Sequence, residues 1–364
     1  MTGRAASLDA PVEDEGLSAR AVAVLVAIGV GCIFLVQLLV MPADFRGNVG
    51  EGGAWHPPES RAEKLVAKMD GRAFAQTAGD PLMRRTVQDY KGDEGKAAYR
   101  ASRPLPGWMF FAGSLGGQRA LLAPTMLLLT AITIGWAVYS VDVLGRALGL
   151  RVRHLAAIVA TPAVISSVAY PGLGDPVGLA LTVTGLAMWF KQRTWTAVAL
   201  FAAAGLCRET MLLVPVGLAL NVLWSKRSIV AALPLAVTPL AYVAWVAIVT
   251  ARIGAAPDGG SQLSAPFSGM IEGAQLWHLA EYLTAALVVA SLVVILWRGY
   301  GWMQSIAVVN LAFASLMGTV VWFQWWGFGR VLTILPVFAL VSLARPKVAA
   351  DAPAPAPSVL ATVA

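Results

Sequence analysis

Long apolar runs alternate with short polar breaks along this chain, and the runs are the length of membrane spans. A helix crossing a hydrocarbon core needs about 20 predominantly apolar residues. Ala21 to Met41 is the clearest run; others follow at 119–142, 152–170, 176–190, 194–207, 210–224, 228–251, 277–297, 301–321 and 331–345. The pattern predicts an all-α polytopic membrane protein with about ten transmembrane helices. The runs 176–190, 194–207 and 210–224 are short for full crossings and are expected to be tilted, broken or partly re-entrant. The chain reads Leu39-Val40-Met41-Pro42 after the first run, with no small-residue cleavage pattern, so that run is expected to stay as an anchor.

The longest polar segment is 42–118, between the first two runs. Within it, residues 60–78 place Ala62, Leu65, Val66, Met69, Ala73 and Phe74 at helical spacing, with Arg61, Lys64, Lys68 and Arg72 largely opposite. This predicts one amphipathic helix lying at the membrane interface, with Asp70 on its apolar–polar boundary. Trp108, Phe110 and Phe111 form an interfacial aromatic group just before the second span. Residues 1–20 and the Pro/Ala tail 348–364 are expected to be disordered, leaving 21–347 as a single membrane domain without a convincing internal repeat.

Composition agrees with this pattern: 58% of residues are hydrophobic, 13% are charged, and the mean hydropathy is +0.69. The net charge of +7 would suit a nucleic-acid partner if it were spread over one surface, but its distribution follows membrane topology. With the N-terminus inside, twelve basic residues fall in inner segments: Arg4, Arg20, Arg146, Arg151, Arg153, Lys191, Arg193, Lys226, Arg227, Arg298, Arg345 and Lys347. Three, Arg208, Arg252 and Arg330, fall in short outer segments or span ends. The positive-inside rule then puts both termini in the cytoplasm and the segments 42–118 and 252–276 outside a plasma membrane. Cys32 and Cys207 lie in apolar runs and read as buried small hydrophobes. His56, His154 and His278 are scattered, so no metal-ligand spacing is present and no cofactor is indicated, while a divalent-metal requirement stays open.

The chemistry-bearing residues gather at the predicted outer ends of spans: Asp70/Arg72, Arg100/Arg103, Gly174-Asp175-Pro176, Cys207-Arg208-Glu209-Thr210, and Arg330. Each has an ordinary reading. Asp70 suits a surface acid, Asp175 a helix cap, Arg330 an arginine reaching the interface, and Arg208 with Glu209 a span-end pair. Their convergence on one membrane face points further, because charges near membrane depth are costly and tend to be paired or functional. Arginines bind phosphate oxygens bidentately, and a carboxylate accepts a hydroxyl proton. Arg208 and Glu209 are expected to pair with each other at the mouth of such a site.

The segment Asp70-Gly71-Arg72-Ala73-Phe74-Ala75-Gln76-Thr77-Ala78-Gly79-Asp80-Pro81 resembles the D-G-Q-[FW]-Y-x-x-[IL]-A-x-D-P pattern of bacterial GT-C-type membrane glycosyltransferases, which are related to the GPI-anchor mannosyltransferases. Tyr99-Arg100-x-x-Arg103-Pro104-Leu105, Tyr170-Pro171 with Asp175-Pro176, Leu206-Cys207-Arg208-Glu209-Thr210 and Phe328-Gly329-Arg330-Val331-Leu332 are similar to further motifs of that family, in order, over roughly 42–345. Arg72 stands where the pattern has Gln, and Ala75 where it has Tyr. The resemblance implies a GT-C-like fold and a sugar transfer from a polyprenyl-phosphate donor to an extracytoplasmic acceptor. Asp70 would be the catalytic base, with Asp44 the competing candidate. Arg72, Arg100, Arg103, Asp175, Arg208, Glu209 and Arg330 would hold the substrates. No G-x-x-x-x-G-K-[ST] pattern for a nucleotide is present, consistent with a lipid-linked donor. Two other readings stand beside this one: a lipid or polysaccharide transporter or flippase, and a non-catalytic membrane subunit that keeps the fold, for which the Arg72 and Ala75 departures speak. The partners expected are the lipid donor and membrane lipids, with no nucleic acid.

Overall fold

The computed structural model describes residues 17–41, 60–84, 94–258 and 262–345. Asp44, the terminal segments 1–16 and 346–364, and most of the link between the first run and residue 60 lie outside the described residues. Every regular element among the described residues is helical, and extended pairing is limited to one isolated bridge between Leu263 and Met317.

Helix α1 (Ala19–Val40) starts at Ser18, whose hydroxyl accepts from the Ala21 amide and satisfies an otherwise orphaned donor. The polar segment then forms α2 (Arg61–Val66), α3 (Gly71–Gly79), α4 (Glu94–Ala101) and α5 (Pro104–Gly113). Helix α6 (Arg119–Ala147) is the longest, at 29 residues, which corresponds to about 43 Å of rise. After it come α7 (Pro162–Ala169), α8 (Asp175–Phe190), α9 (Thr194–Cys207), α10 (Leu213–Lys226), α11 (Ile229–Ala236) and α12 (Pro239–Ile253). The C-terminal part holds α13 (Ser268–Ala274), α14 (Leu279–Arg298), α15 (Gly301–Ser315), α16 (Thr319–Trp322), α17 (Trp325–Val331) and α18 (Ile334–Leu343).

Four helical segments are long and apolar enough to cross a membrane: Ala19–Val40, Arg119–Ala147, Ile229–Ile253 and Leu279–Arg298. Helices α17 and α18, bent by 59° to one another, make a fifth if they form one broken span. Helices α8 and α9, which the sequence marks as short, are apolar but only 16 and 14 residues long. The run 152–170 is not one helix. A 3₁₀ turn at Leu155–Ala160 is separated from α7 by Thr161, which is extended because the ring of Pro162 disfavours helical backbone in the residue before it. Large apolar side chains lie exposed along α1 (Leu25, Ile28, Leu35, Val36, Leu39) and α14 (Leu283, Val289, Val293, Leu296). Water would penalise such continuous apolar surface, whereas lipid would not. Cys207 is buried as expected, but Cys32 is exposed on the outward face of α1.

Helix α8 occupies the centre. It is buried on nearly every side between α6 and α9, as an all-round apolar helix must be. Helix α1 also packs on α6, at Gly135, which has no room for a side chain: a Cβ there would lie 2.7 Å from the Ala23 carbonyl oxygen. Helices α10 and α15 pack as a pair, as do α14 and α18. One large hydrophobic core runs through these elements. Two small clusters sit apart from it: Met83, Ala98, Trp245, Val249 and Ile253 under α4, and Val177, Leu181, Ala204, Cys207 and Met211 between α8 and α9. Together they brace the end of the bundle where the charged residues meet.

Candidate functional site

The single amphipathic helix expected over 60–78 is two helices, α2 and α3, separated by a turn. Helix α2 opens with a capping box in which Ser60 and Glu63 satisfy each other's amides. Glu63 also accepts from Arg119 Nε at 3.2 Å, tying the turn to the start of α6. Met69 adopts left-handed backbone, φ 52°. Gly71 then passes so close to the preceding helix that a Cβ would lie 2.3 Å from the Val66 oxygen and 3.0 Å from that of Pro171. The apolar periodicity continues across this break because both halves face the same core: Leu65, Val66, Ala73, Phe74 and Ala78 are all buried. The apolar face therefore packs on α5 and α6 and not on a lipid surface. The break leaves Asp70 as the N-cap of α3 with a side chain that makes no capping hydrogen bond. That carboxylate turns to arginines instead.

Three carboxylates and three arginines from five parts of the chain meet here. Asp175, at the first turn of α8, is 1% exposed. Its Oδ1 accepts from Arg208, and its Oδ2 accepts from Arg330 Nε at 2.8 Å and pairs with Arg330 Nη2 at 2.7 Å. Arg103 donates bidentately to Glu209, Nε to Oε2 at 2.7 Å and Nη2 to Oε1 at 2.6 Å. Asp70 Oδ2 bridges the two halves, 3.3 Å from Arg330 Nη2 and 3.6 Å from Arg103 Nη1. The three arginine side chains are nearly buried, while those of Asp70 and Glu209 are 27% and 25% exposed. The cations thus form the floor, and two carboxylates face outward.

The network corrects one expectation. Arg208 and Glu209 do not pair with each other: Arg208 binds Asp175, and Glu209 binds Arg103. Arg208 has extended backbone, φ −160° and ψ 123°, at the junction between α9 and the 3₁₀ turn Glu209–Leu212. Successive side chains of extended backbone point opposite ways, so the two neighbours serve opposite halves of the site. Arg208 Nε is buried without a hydrogen-bond partner. Burial pushes the Asp70 carboxyl up, but Arg330, Arg103 and Arg208 together outweigh it and hold it below the usual carboxylate range.

The structure brings together Asp70, Arg103, Asp175, Arg208, Glu209 and Arg330. Arg72 and Arg100 form a separate pair of cations beside it. Burial and then the charge of Arg100 lower the pKa of Arg72, and Arg100 is exposed on α4. Two further residues belong to the site. The Arg103 guanidinium lies 4.3 Å over the Tyr99 ring and donates to the Tyr99 hydroxyl, which donates to Gln262 Oε1 at 2.9 Å. Tyr99 stands in the Tyr99-Arg100-x-x-Arg103 motif, so its signal was in the sequence. Gln262 has no such signal. It is placed by the pairing of its loop with 316–318, where Gly318 N donates to the Gln262 carbonyl and Ser264 N to that of Leu316 at 2.8 Å. Among the described residues, no group of three or more His, Cys, Asp or Glu is arranged to hold a metal ion.

Chemically, this is an acceptor pair over a guanidinium floor. Its three positive and three negative side chains balance in the state described, so beyond the unused Arg208 Nε–H an incoming anion takes arginine contacts from a carboxylate. Asp70, held by the two longest contacts, is the one that gives way most easily. No family model, curated protein or solved structure matches this chain.

Proposed function

We propose that this protein is a polytopic, GT-C-like membrane glycosyltransferase that moves a sugar from a polyprenyl-phosphate donor to an acceptor at the extracytoplasmic face of the plasma membrane, with both termini in the cytoplasm. The observation that carries the reading is Asp70: an accessible carboxylate held loosely over buried arginines, one of which keeps an unused buried Nε–H. The donor phosphate would bind Arg208 Nε and take the contacts that Arg330 and Arg103 make to Asp70, with Arg72 and Arg100 drawing the anion in. As those cations turn to phosphate, Asp70 gains basicity. It then accepts the proton of the acceptor hydroxyl, whose oxygen attacks the anomeric carbon. The carbon–oxygen bond to phosphate breaks, and polyprenyl phosphate leaves with the electron pair. Asp175, buried between Arg208 and Arg330, positions both guanidinium groups; Glu209 does the same for Arg103.

The test uses the full chain in sealed right-side-out vesicles with a panel of radiolabelled polyprenyl-phosphate hexoses and pentoses and an impermeant envelope-polysaccharide acceptor outside. Label reaching the acceptor and releasing polyprenyl phosphate is expected. Movement of intact donor across the bilayer without transfer would favour a flippase, and neither event with any donor would favour a non-catalytic subunit.

A further inference from the structure

At the rim of the carboxylate–arginine network two further polar groups stand side by side. Glu209 is the first. Arg103 donates to both of its oxygens, yet a carboxylate offers about four lone-pair sites, and 25% of this side chain stays exposed. Gln262, half-buried, is the second. The Arg103 guanidinium can only donate, and it donates to the Tyr99 hydroxyl. The Tyr99 proton is therefore turned away from Arg103, and it goes to Gln262 Oε1 at 2.9 Å in preference to Glu209 Oε1 at 3.4 Å. With its oxygen committed to Tyr99, Gln262 keeps both N–H groups of its amide without a partner among the described residues.

The loop holds this amide in place. Gly318 N donates to the Gln262 carbonyl at 2.6 Å, and Leu263 bridges to Met317. Just beyond, Gly269 lies so close that a Cβ would sit 2.2 Å from the Met317 oxygen. A side chain on a pinned loop loses little freedom when it binds. Tyr99 touches both groups, so the acceptor and the donor are neighbours. Glu209 takes a proton and Gln262 offers one. A hydroxyl does both, and adjacent hydroxyls of a sugar ring do both at once. A phosphate oxygen would meet the negative charge of Glu209 with no proton to give. Arg103 links this pair to the rest of the site: its Nε and Nη2 hold Glu209, while its Nη1 lies 3.6 Å from Asp70. The pair is thus one guanidinium group away from the proposed base.

We propose that Gln262 Nε2 and Glu209 form a hydroxyl-recognition subsite for a sugar ring, carried either by the donor or by the acceptor. As a substrate subsite it rests on the transfer reaction proposed above. The test places Gln262→Glu and Gln262→Met, each in the full chain, in the vesicle assay with polyprenyl-phosphate hexoses and pentoses and the polysaccharide acceptor. Gln262→Glu keeps an oxygen for Tyr99 but loses both N–H donors; Gln262→Met loses both functions. Each should raise one KM by about 3- to 10-fold, the worth of one hydrogen bond, at nearly unchanged kcat. A shift in the donor's KM assigns the ring to the donor, and a shift in the acceptor's assigns it to the acceptor. If Gln262→Glu matches wild type while Gln262→Met is impaired, Gln262 only holds Tyr99 and the subsite is overturned. It is also overturned if wild type transfers and neither KM moves in either variant, a result that leaves the transferase reading intact. Where wild type transfers nothing, saturation-transfer NMR of the detergent-solubilised chain with methyl hexosides and pentosides separates the two ideas. Sugar binding that weakens in both variants supports the subsite without the reaction; no binding, or binding equal in all three proteins, overturns it.

Discussion

Asp70 owes its position to Gly71. Without a Cβ at 71 the chain folds back against the Val66 and Pro171 carbonyls, and the acid is left at a helix start with its side chain turned from the cap to Arg330 and Arg103. Gly71→Ala should therefore act on both stability and site geometry. Overpacking of this kind costs about 1–3 kcal/mol, so a lower melting temperature in detergent and reduced transfer are expected; an unchanged melt would show that the turn tolerates a side chain. The depressed pKa of Asp70 has a second consequence. Its folded value lies below its unfolded one, so the stability it contributes is present above the unfolded value of about 3.9 and is lost as pH falls through the folded value. Transfer assayed in the unliganded regime, as kcat/KM, should hold level from pH 7 to about 5. An acid limb near pH 6 that vanishes in Asp70→Asn would contradict the arginine-held carboxylate.

At the scale of elements, the site joins α3, α4, α5, α8, the α9–α10 junction and α17 through ion pairs far apart in sequence. Arg103 with Glu209 is the strongest of these by geometry, being bidentate and largely shielded. A double-mutant cycle with Arg103→Gln and Glu209→Gln, read by thermal unfolding, should give a coupling of about 1–3 kcal/mol; additive losses would mean the pair does not hold α5 to the junction. Much of this was legible in the sequence. Apolar run length located the long helices, and the placement of Asp70, Arg103, Asp175, Arg208, Glu209 and Arg330 at run ends expected on one face anticipated their meeting. What was not legible has a physical cause in each case. Periodicity is blind to the α2–α3 break because both halves keep one buried face. Adjacency suggested an Arg208–Glu209 pair, but the extended backbone at 208 sends the two side chains apart. Gln262 reaches Tyr99 through a loop pairing that leaves no pattern in the chain.

The whole molecule separates its charges by end. The basic residues Arg20, Arg146, Arg151, Arg298 and Arg345 gather at one end, and the balanced carboxylate–arginine network sits at the other. Such polarity suits a protein that holds its orientation in a bilayer by one end and does chemistry at the other. In the proposed reaction Asp70 performs that chemistry. The most direct measurement compares wild type, Asp70→Asn and Asp44→Asn in transfer from a radiolabelled polyprenyl-phosphate sugar, with donor binding measured on the same preparations. Asp70→Asn should keep its shape and bind donor while transfer falls by roughly 10²–10⁴, and Asp44→Asn should transfer at close to the wild-type rate. Collapse in Asp44→Asn with Asp70→Asn near wild type, or full transfer in both, would contradict the account.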